Sequence, residues 1–274
     1  MCRVTAAFKP LKKVIRQSGC HRSTTRFGRS LRRFGYRRCS SMQGALLVGL
    51  GPEGELRSAV RNLPDQLDTV AFLEGPAQIE LISDFLQSPE AQQVSTLKIG
   101  TSQLYAARRP AEGFDLGKVM SLFKGRHLPN LRSLCLGDMF VLYNSSVRAC
   151  RIGDITPVFN AAPNLRMLDL CGPFFLTRPV EHAHLQEVSV HVDASSGQEA
   201  VISQQTFTNL MMSKLPEVQS LSLLSDATED VPLDLPTAFD PRAQMPKLTA
   251  FEVENLTPES QQRYDALQEV LLVG

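Results

Sequence analysis

A chain of 274 residues is long enough to bury a sizeable core, either as one long domain or as an array of small stacked units. Its net charge of +1 argues for no class of partner, and no apolar run reaches the ~18 residues needed to cross a bilayer. Six cysteines, at positions 2, 20, 39, 135, 150 and 171, form no CxxC pair and follow no regular spacing, which argues against a disulfide framework and predicts a reducing, cytoplasmic compartment.

Charge is spread unevenly along the chain. Residues 1 to 52 contain no Asp or Glu and carry twelve basic residues between Arg3 and Arg38, whereas the remainder holds 17 basic against 28 acidic residues. Residues 1 to 41 are expected to be a disordered basic tail, because they offer too few apolar side chains to offset chain entropy. Three readings of this tail stand side by side. An arginine-rich, acid-free segment ending in Arg37-Arg38-Cys39-Ser40-Ser41 has the composition of an organellar transit peptide, which makes mitochondria the alternative location. The same charge suits an arm for nucleic acid or another anionic surface, where each neutralised phosphate releases counterions. The third reading starts the protein at Met42, with the preceding residues an over-extended reading frame. Nucleic acid is a partner only where the tail is retained. The N-terminus also lacks the apolar stretch of about 7 to 15 residues that a secretory signal requires.

Ordered structure is expected from Met42 onward, beginning with the apolar Ala45 to Val48. Gly49-Leu50-Gly51-Pro52-Glu53-Gly54 follows, a GxGxxG run with Glu74 placed 20 residues beyond the third glycine, the arrangement of a dinucleotide-binding turn. Pro52 and Glu53 oppose that use, since they set a rigid ring and a negative charge where pyrophosphate would approach a helix N-terminus. The run is read as a turn at the first repeat, with no cofactor.

From there an apolar-x-x-apolar-x-apolar pattern recurs seven times: Leu67/Val70/Phe72, Val94/Leu97/Ile99, Leu131/Leu134/Leu136, Leu165/Leu168/Leu170, Leu185/Val188/Val190, Val218/Leu221/Leu223 and Leu248/Phe251/Val253. Their first members lie 20 to 37 residues apart, the range in which a repeat is one supersecondary unit stacked on its neighbours. The last two apolar positions of each triplet alternate with small or polar residues, the period of a strand with one buried face. Helical spacing lies between the triplets, at Leu56/Ala59/Val60/Leu63, Ile79/Ile82/Phe85/Leu86, Leu116 to Phe123, Ile155 to Ala161 and Gln198 to Met212. Asp154 and Thr257-Pro258 mark helix starts. Leu128-Pro129, Ala162-Pro163, Leu215-Pro216 and Met245-Pro246 mark ends, because proline directs the chain into the next strand.

Leu128-Pro129-Asn130-Leu131-Arg132-Ser133-Leu134-Cys135-Leu136 and Ala162-Pro163-Asn164-Leu165-Arg166-Met167-Leu168-Asp169-Leu170 resemble the PxLxxLxL core of leucine-rich repeats. The segment from Ile152 to Gly172 is similar to a bacterial cytoplasmic leucine-rich-repeat family of unassigned function. The resemblance implies an α/β leucine-rich-repeat solenoid with a parallel inner sheet, outer helices and irregular repeat length, spanning residues 42 to 274. Met139, Pro173, Asp193, Asp226 and Leu256 stand where such repeats place a turn asparagine after the strand. The unit from Leu165 to Leu185 is too short for a full helix, so an extended outer segment is expected around Phe174-Phe175-Leu176.

Strands aligned in this way put Thr96, Lys98, Ser133, Cys135, Met167, Asp169, Cys171, Glu187, Ser189, His191, Ser220, Ser222, Ala250 and Glu252 on the concave face. Asp169, Glu187, His191, Asp193, Glu252 and Glu254 are the expected partner-binding residues, and their acidity favours a basic protein partner. Phe174, Phe175, Met211 and Met212 are candidates for apolar anchors or for core. His182 and His184, which flank Ala183, are expected at the surface of a turn. The function read from this pattern is a non-enzymatic protein-protein interaction scaffold, without catalytic residues, metal, cofactor or membrane contact. The alternative is an enzyme or cofactor-binding protein using the Gly49–Gly54 loop or the Cys171/His191 pair, in which sulfur and imidazole on neighbouring strands would act together. No GxSxG elbow and no GxxxxGK[ST] phosphate loop is present.

Overall fold

A computed structural model describes residues 45–48, 69–72, 79–100, 114–137, 150–192, 202–225 and 231–273, all within one compact unit, Gly44–Gly274. The basic tail, the Gly49–Gly54 loop, Glu74, Asp193 and the helical spacing at 56 to 63 lie outside the described residues. The fold is mixed α/β.

In chain order its elements are β1 (Ala45–Val48), β2 (Thr69–Phe72), α1 (Ile79–Gln87), a 3-10 turn (Pro89–Gln92), β3 (Thr96–Ile99), β4 (Phe114–Asp115), α2 (Gly117–Leu122), β5 (Ser133–Leu136), β6 (Cys150–Arg151), β7 (Gly153–Asp154), α3 (Thr156–Ala161), β8 (Met167–Cys171), β9 (Phe174–Phe175), β10 (Glu187–Val192), α4 (Gln204–Met211), β11 (Ser220–Ser225), α5 (Pro241–Gln244), β12 (Ala250–Val253) and α6 (Pro258–Val273). Eight strands form one parallel sheet in the order β1-β2-β3-β5-β8-β10-β11-β12, so spatial order follows chain order without reversal.

Register follows the apolar pattern. Leu97, Leu134, Leu168, Val188, Leu221 and Phe251 are partners across the sheet, and Ile99, Leu136, Leu170, Val190, Leu223 and Val253 form a second row. All are buried. A one-residue slip would carry a whole row to the opposite face, so burying both rows fixes the pairing. The same core takes in Ile82, Phe85 and Leu86 from α1, Val119 and Met120 from α2, Val158 and Phe159 from α3, and Phe207, Leu210 and Met211 from α4. Helical spacing is thus realised at three places much as the sequence predicts. In the segment 198 to 212 the helix starts only at Gln204, where the Ser203 hydroxyl accepts the Thr206 N–H.

Between β8 and β10 there is no helix. Phe174–Phe175 is instead a strand paired with Gly153–Asp154, the extended segment expected in the short unit. Phe174 belongs to the core, while Phe175 is 41% exposed with the Arg151 guanidinium 5.9 Å from its ring centre.

Successive units are tied at the residue before each strand. The carbonyls of Ser95, Arg132, Arg166, Gln186 and Gln219 each accept two N–H groups from the next unit, at 2.7 to 3.3 Å. Side chains add a second ladder, at the position just before the first apolar residue of four triplets. Asn130 donates to the Gln92 carbonyl at 2.7 Å and Asn164 to the Pro129 carbonyl at 2.9 Å. In the last two units the same position carries Glu217 and Lys247, ion-paired at 2.7 Å. Asparagine laddering therefore exists here, but ahead of the strand, where the Pro-Asn turn turns its side chain back on the preceding unit.

At the C-terminal end α6 lies against β12. Its Tyr264 hydroxyl donates to the Phe251 carbonyl at 2.9 Å, and the Gln268 amide donates to the same oxygen. Ala250 and Glu254 direct their N–H groups at β11, so the intervening Phe251 carbonyl points to the outer edge. Those two side chains cover it. Phe251 is also packed between Phe239 and Tyr264, with ring centres 5.7 and 5.4 Å away. Among the described residues no helix is long and apolar enough to cross a membrane.

Candidate functional site

The residues between the buried rows make up the other face of the sheet. Lys98, Cys135, Asp169, Ser189, Ser222 and Glu252 are register partners in one row, and Thr96, Ser133, Met167, Glu187, Ser220 and Ala250 in the next. They are half-buried or exposed, in contrast to the apolar rows. Each strand thus presents its side chains at a fixed height, and each row steps about 4.8 Å from strand to strand.

Two acidic groups stand on this face. The first is Asp169 on β8 with Glu187 on β10, offset by one residue pair, since Asp169 partners Ser189 and Glu187 partners Met167. The Asp169 carboxyl is pushed up to about 6, mainly by burial and also by the Glu187 charge, with Lys98 in the same row pulling the other way. The second group is Glu252 on β12 with Glu254 just beyond it. The Ser222 hydroxyl reaches the Glu252 carboxylate at 3.5 Å. Three strand steps separate Asp169 from Glu252, on the order of 14 Å. Ser189, Ser220 and Ser222 form a small-residue floor between them. A partner that engages both groups must bridge this floor.

Of the residues predicted for binding, Glu187 and Glu254 are exposed, Asp169 and Glu252 half-buried, and Asp193 outside the described residues. His191 is only 8% exposed and offers a partner little surface. Sequence reasoning left two contributors out of the binding set. Met167, 39% exposed beside Glu187, is a large apolar side chain on the face, and Lys98 sets the basic end of the Asp169 row. Both show in the sequence as the residues alternating with the apolar pattern. Met211 and Phe174, candidates for apolar anchors, are core residues, and Met212 is half-buried.

Cys171 and His191 are register partners on β8 and β10, and both are buried; Cys135 and Asp169 pair in the row below. Among the described residues no group of three or more His, Cys, Asp or Glu side chains is arranged to hold a metal ion. His184 is exposed in its turn. His182, expected there too, is instead 4% exposed, with its ring edge-on to Phe159 at 5.9 Å.

No protein-family profile and no curated protein matches the sequence. A solved structure of a Bacteroides fragilis protein is similar at 14% identity with a TM-score of 0.42, over 72% of this chain and 54% of that one. This chain therefore spans about half the length of that relative.

Proposed function

We propose that this chain is a non-enzymatic protein-protein interaction scaffold: a leucine-rich-repeat solenoid whose polar strand face receives a basic segment of a protein partner in the cytoplasm. The observation that carries the reading is the pair of in-register rows from Lys98 to Glu252 and from Thr96 to Ala250, which hold side chains at fixed spacing without enclosing them. Such rows suit recognition of an extended surface. Asp169, Glu187, Glu252 and Glu254 give the C-terminal half of the face its sign, and Met167 supplies an apolar contact among them. A strand order that follows the chain also lacks the reversal at which doubly wound folds bind nucleotides.

The test is a double charge reversal, Glu187→Lys with Glu252→Lys. Affinity capture with the wild-type chain identifies the partner, and titration of that purified partner against both proteins measures the effect. Losing two attractive contacts is expected to weaken binding at least about tenfold, more at low salt than at high. Unchanged affinity, with circular dichroism showing an intact fold, removes this face as the binding surface. The enzyme alternative is separated by thermal shift with NAD, FAD, ATP and zinc, since a ligand at about 100 times its Kd stabilises by ~2.7 kcal/mol.

A further inference from the structure

The turns that lead into the strands share one hydrogen bond. The N–H of Leu131, Leu165, Val218 and Leu248 donates to the carbonyl three residues back, of Leu128, Ala162, Leu215 and Met245. In the unit without a helix the corresponding donor is Leu185, and it bonds the Nδ1 of the His182 ring at 3.1 Å; His184 N–H approaches the same atom at 3.4 Å. The other ring nitrogen, Nε2, reaches the Ala162 carbonyl of the preceding unit at 3.0 Å. Here an imidazole replaces both the apolar side chain of Leu128, Leu215 or Met245 and the backbone acceptor of the turn.

We infer that His182 is a proton-operated pin: in its neutral form it closes the turn at the start of β10 and fastens it to the preceding unit, and on protonation it lets the turn go. The bond pattern admits one protonation state. Nδ1 accepts N–H groups and so carries no proton, while Nε2 faces a carbonyl and so carries one. An imidazolium would set a new N–H against the N–H of Leu185. Burial holds the ring below the ordinary histidine range, the Ala162 bond partly offsets that, and the charge of His184 adds to it.

Among the described residues no carboxylate is bonded to the ring to absorb the added charge. The helix packed on the ring, α3, and the next outer helix, α4, contain no ionisable residue. Around the turn stand Glu181, held by Lys214 at 2.6 Å, and His184. The His182 N–H itself donates to the Lys214 carbonyl, so the segment stays anchored from that side when the ring lets go. Release then reaches Leu185 and, two residues on, Glu187, the first residue of β10. The inference does not depend on what binds the sheet face.

Amide hydrogen exchange on the full chain tests it, corrected for the intrinsic pH dependence of exchange. From about pH 7.5 to about pH 4 the Leu185 amide is expected to lose protection about tenfold or more, as a histidine held below its ordinary range takes up its proton, while Leu165 and Val218 keep theirs. His182→Leu, which installs the residue of the Leu128 and Leu215 turns, is expected to abolish the step. Constant protection of Leu185 in the wild type, or the same loss in His182→Leu, overturns the inference. Should that variant not fold, nitrogen NMR of the wild-type ring decides: an Nε2–H tautomer at neutral pH, with ring protonation and the Leu185 amide shift sharing one midpoint, supports the pin, and separate midpoints overturn it.

Discussion

The Cα of Gly117 lies 2.7 Å from the place a β-carbon on Gly153 would take, so the first residue of α2 and the first of β7 meet backbone to backbone. Gly153 also sits at φ +89, a region that side chains avoid. Gly153→Ala is expected to cost roughly 2–4 kcal/mol, because strain and a backbone clash act together. Gly125→Ala makes the contrast, since its φ is +71 and its β-carbon would meet open space. It should cost only about 1 kcal/mol. Denaturant midpoints of the two variants check the ranking, and equal losses would contradict it.

Asp169 predicts an inverted pH response. Its folded carboxyl is raised from 3.8 to about 6, mainly by burial, so the folded chain holds the proton more tightly than the unfolded one. Its contribution is therefore most favourable below pH 4, declines as pH rises through that window, and is a constant penalty above about 6. Asp169→Asn should stabilise the protein at pH 7 by roughly 1–3 kcal/mol and change little at pH 4. Thermal midpoints at both pH values measure this.

The two kinds of turn ladder should differ in strength. Asn164→Ala removes a part-buried amide bond to the Pro129 carbonyl and is expected to cost about 1 kcal/mol. Lys247→Ala breaks an exposed ion pair with Glu217, which should cost about 0.5 kcal/mol or less and fade in salt. Urea titrations at low and high salt separate the two.

Tyr264→Phe combined with Gln268→Ala strips both donors from the Phe251 carbonyl. A loss of about 1–3 kcal/mol is expected, together with self-association through the uncovered strand edge. Chemical denaturation and static light scattering report the two effects separately.

Strand positions were legible because a two-residue apolar alternation has one reading, and pairing like rows with like fixed the register from Val70 to Phe251. The place of Ala45–Val48 at the edge of the same sheet was less so, since a glycine-rich run follows it and no triplet announces it. Two-residue strands such as Phe114–Asp115 and Cys150–Arg151 carry no period at all; their pairing is imposed by units already stacked. His182 was misplaced at the surface because a polar residue in a turn ordinarily faces water. Aligning it with Leu128, Ala162, Leu215 and Met245, three residues ahead of each leading apolar residue, would have marked it as an inward position.

With the outward Phe251 carbonyl already claimed by two side chains of α6, that rung of β12 is closed to a neighbouring molecule that would extend the sheet.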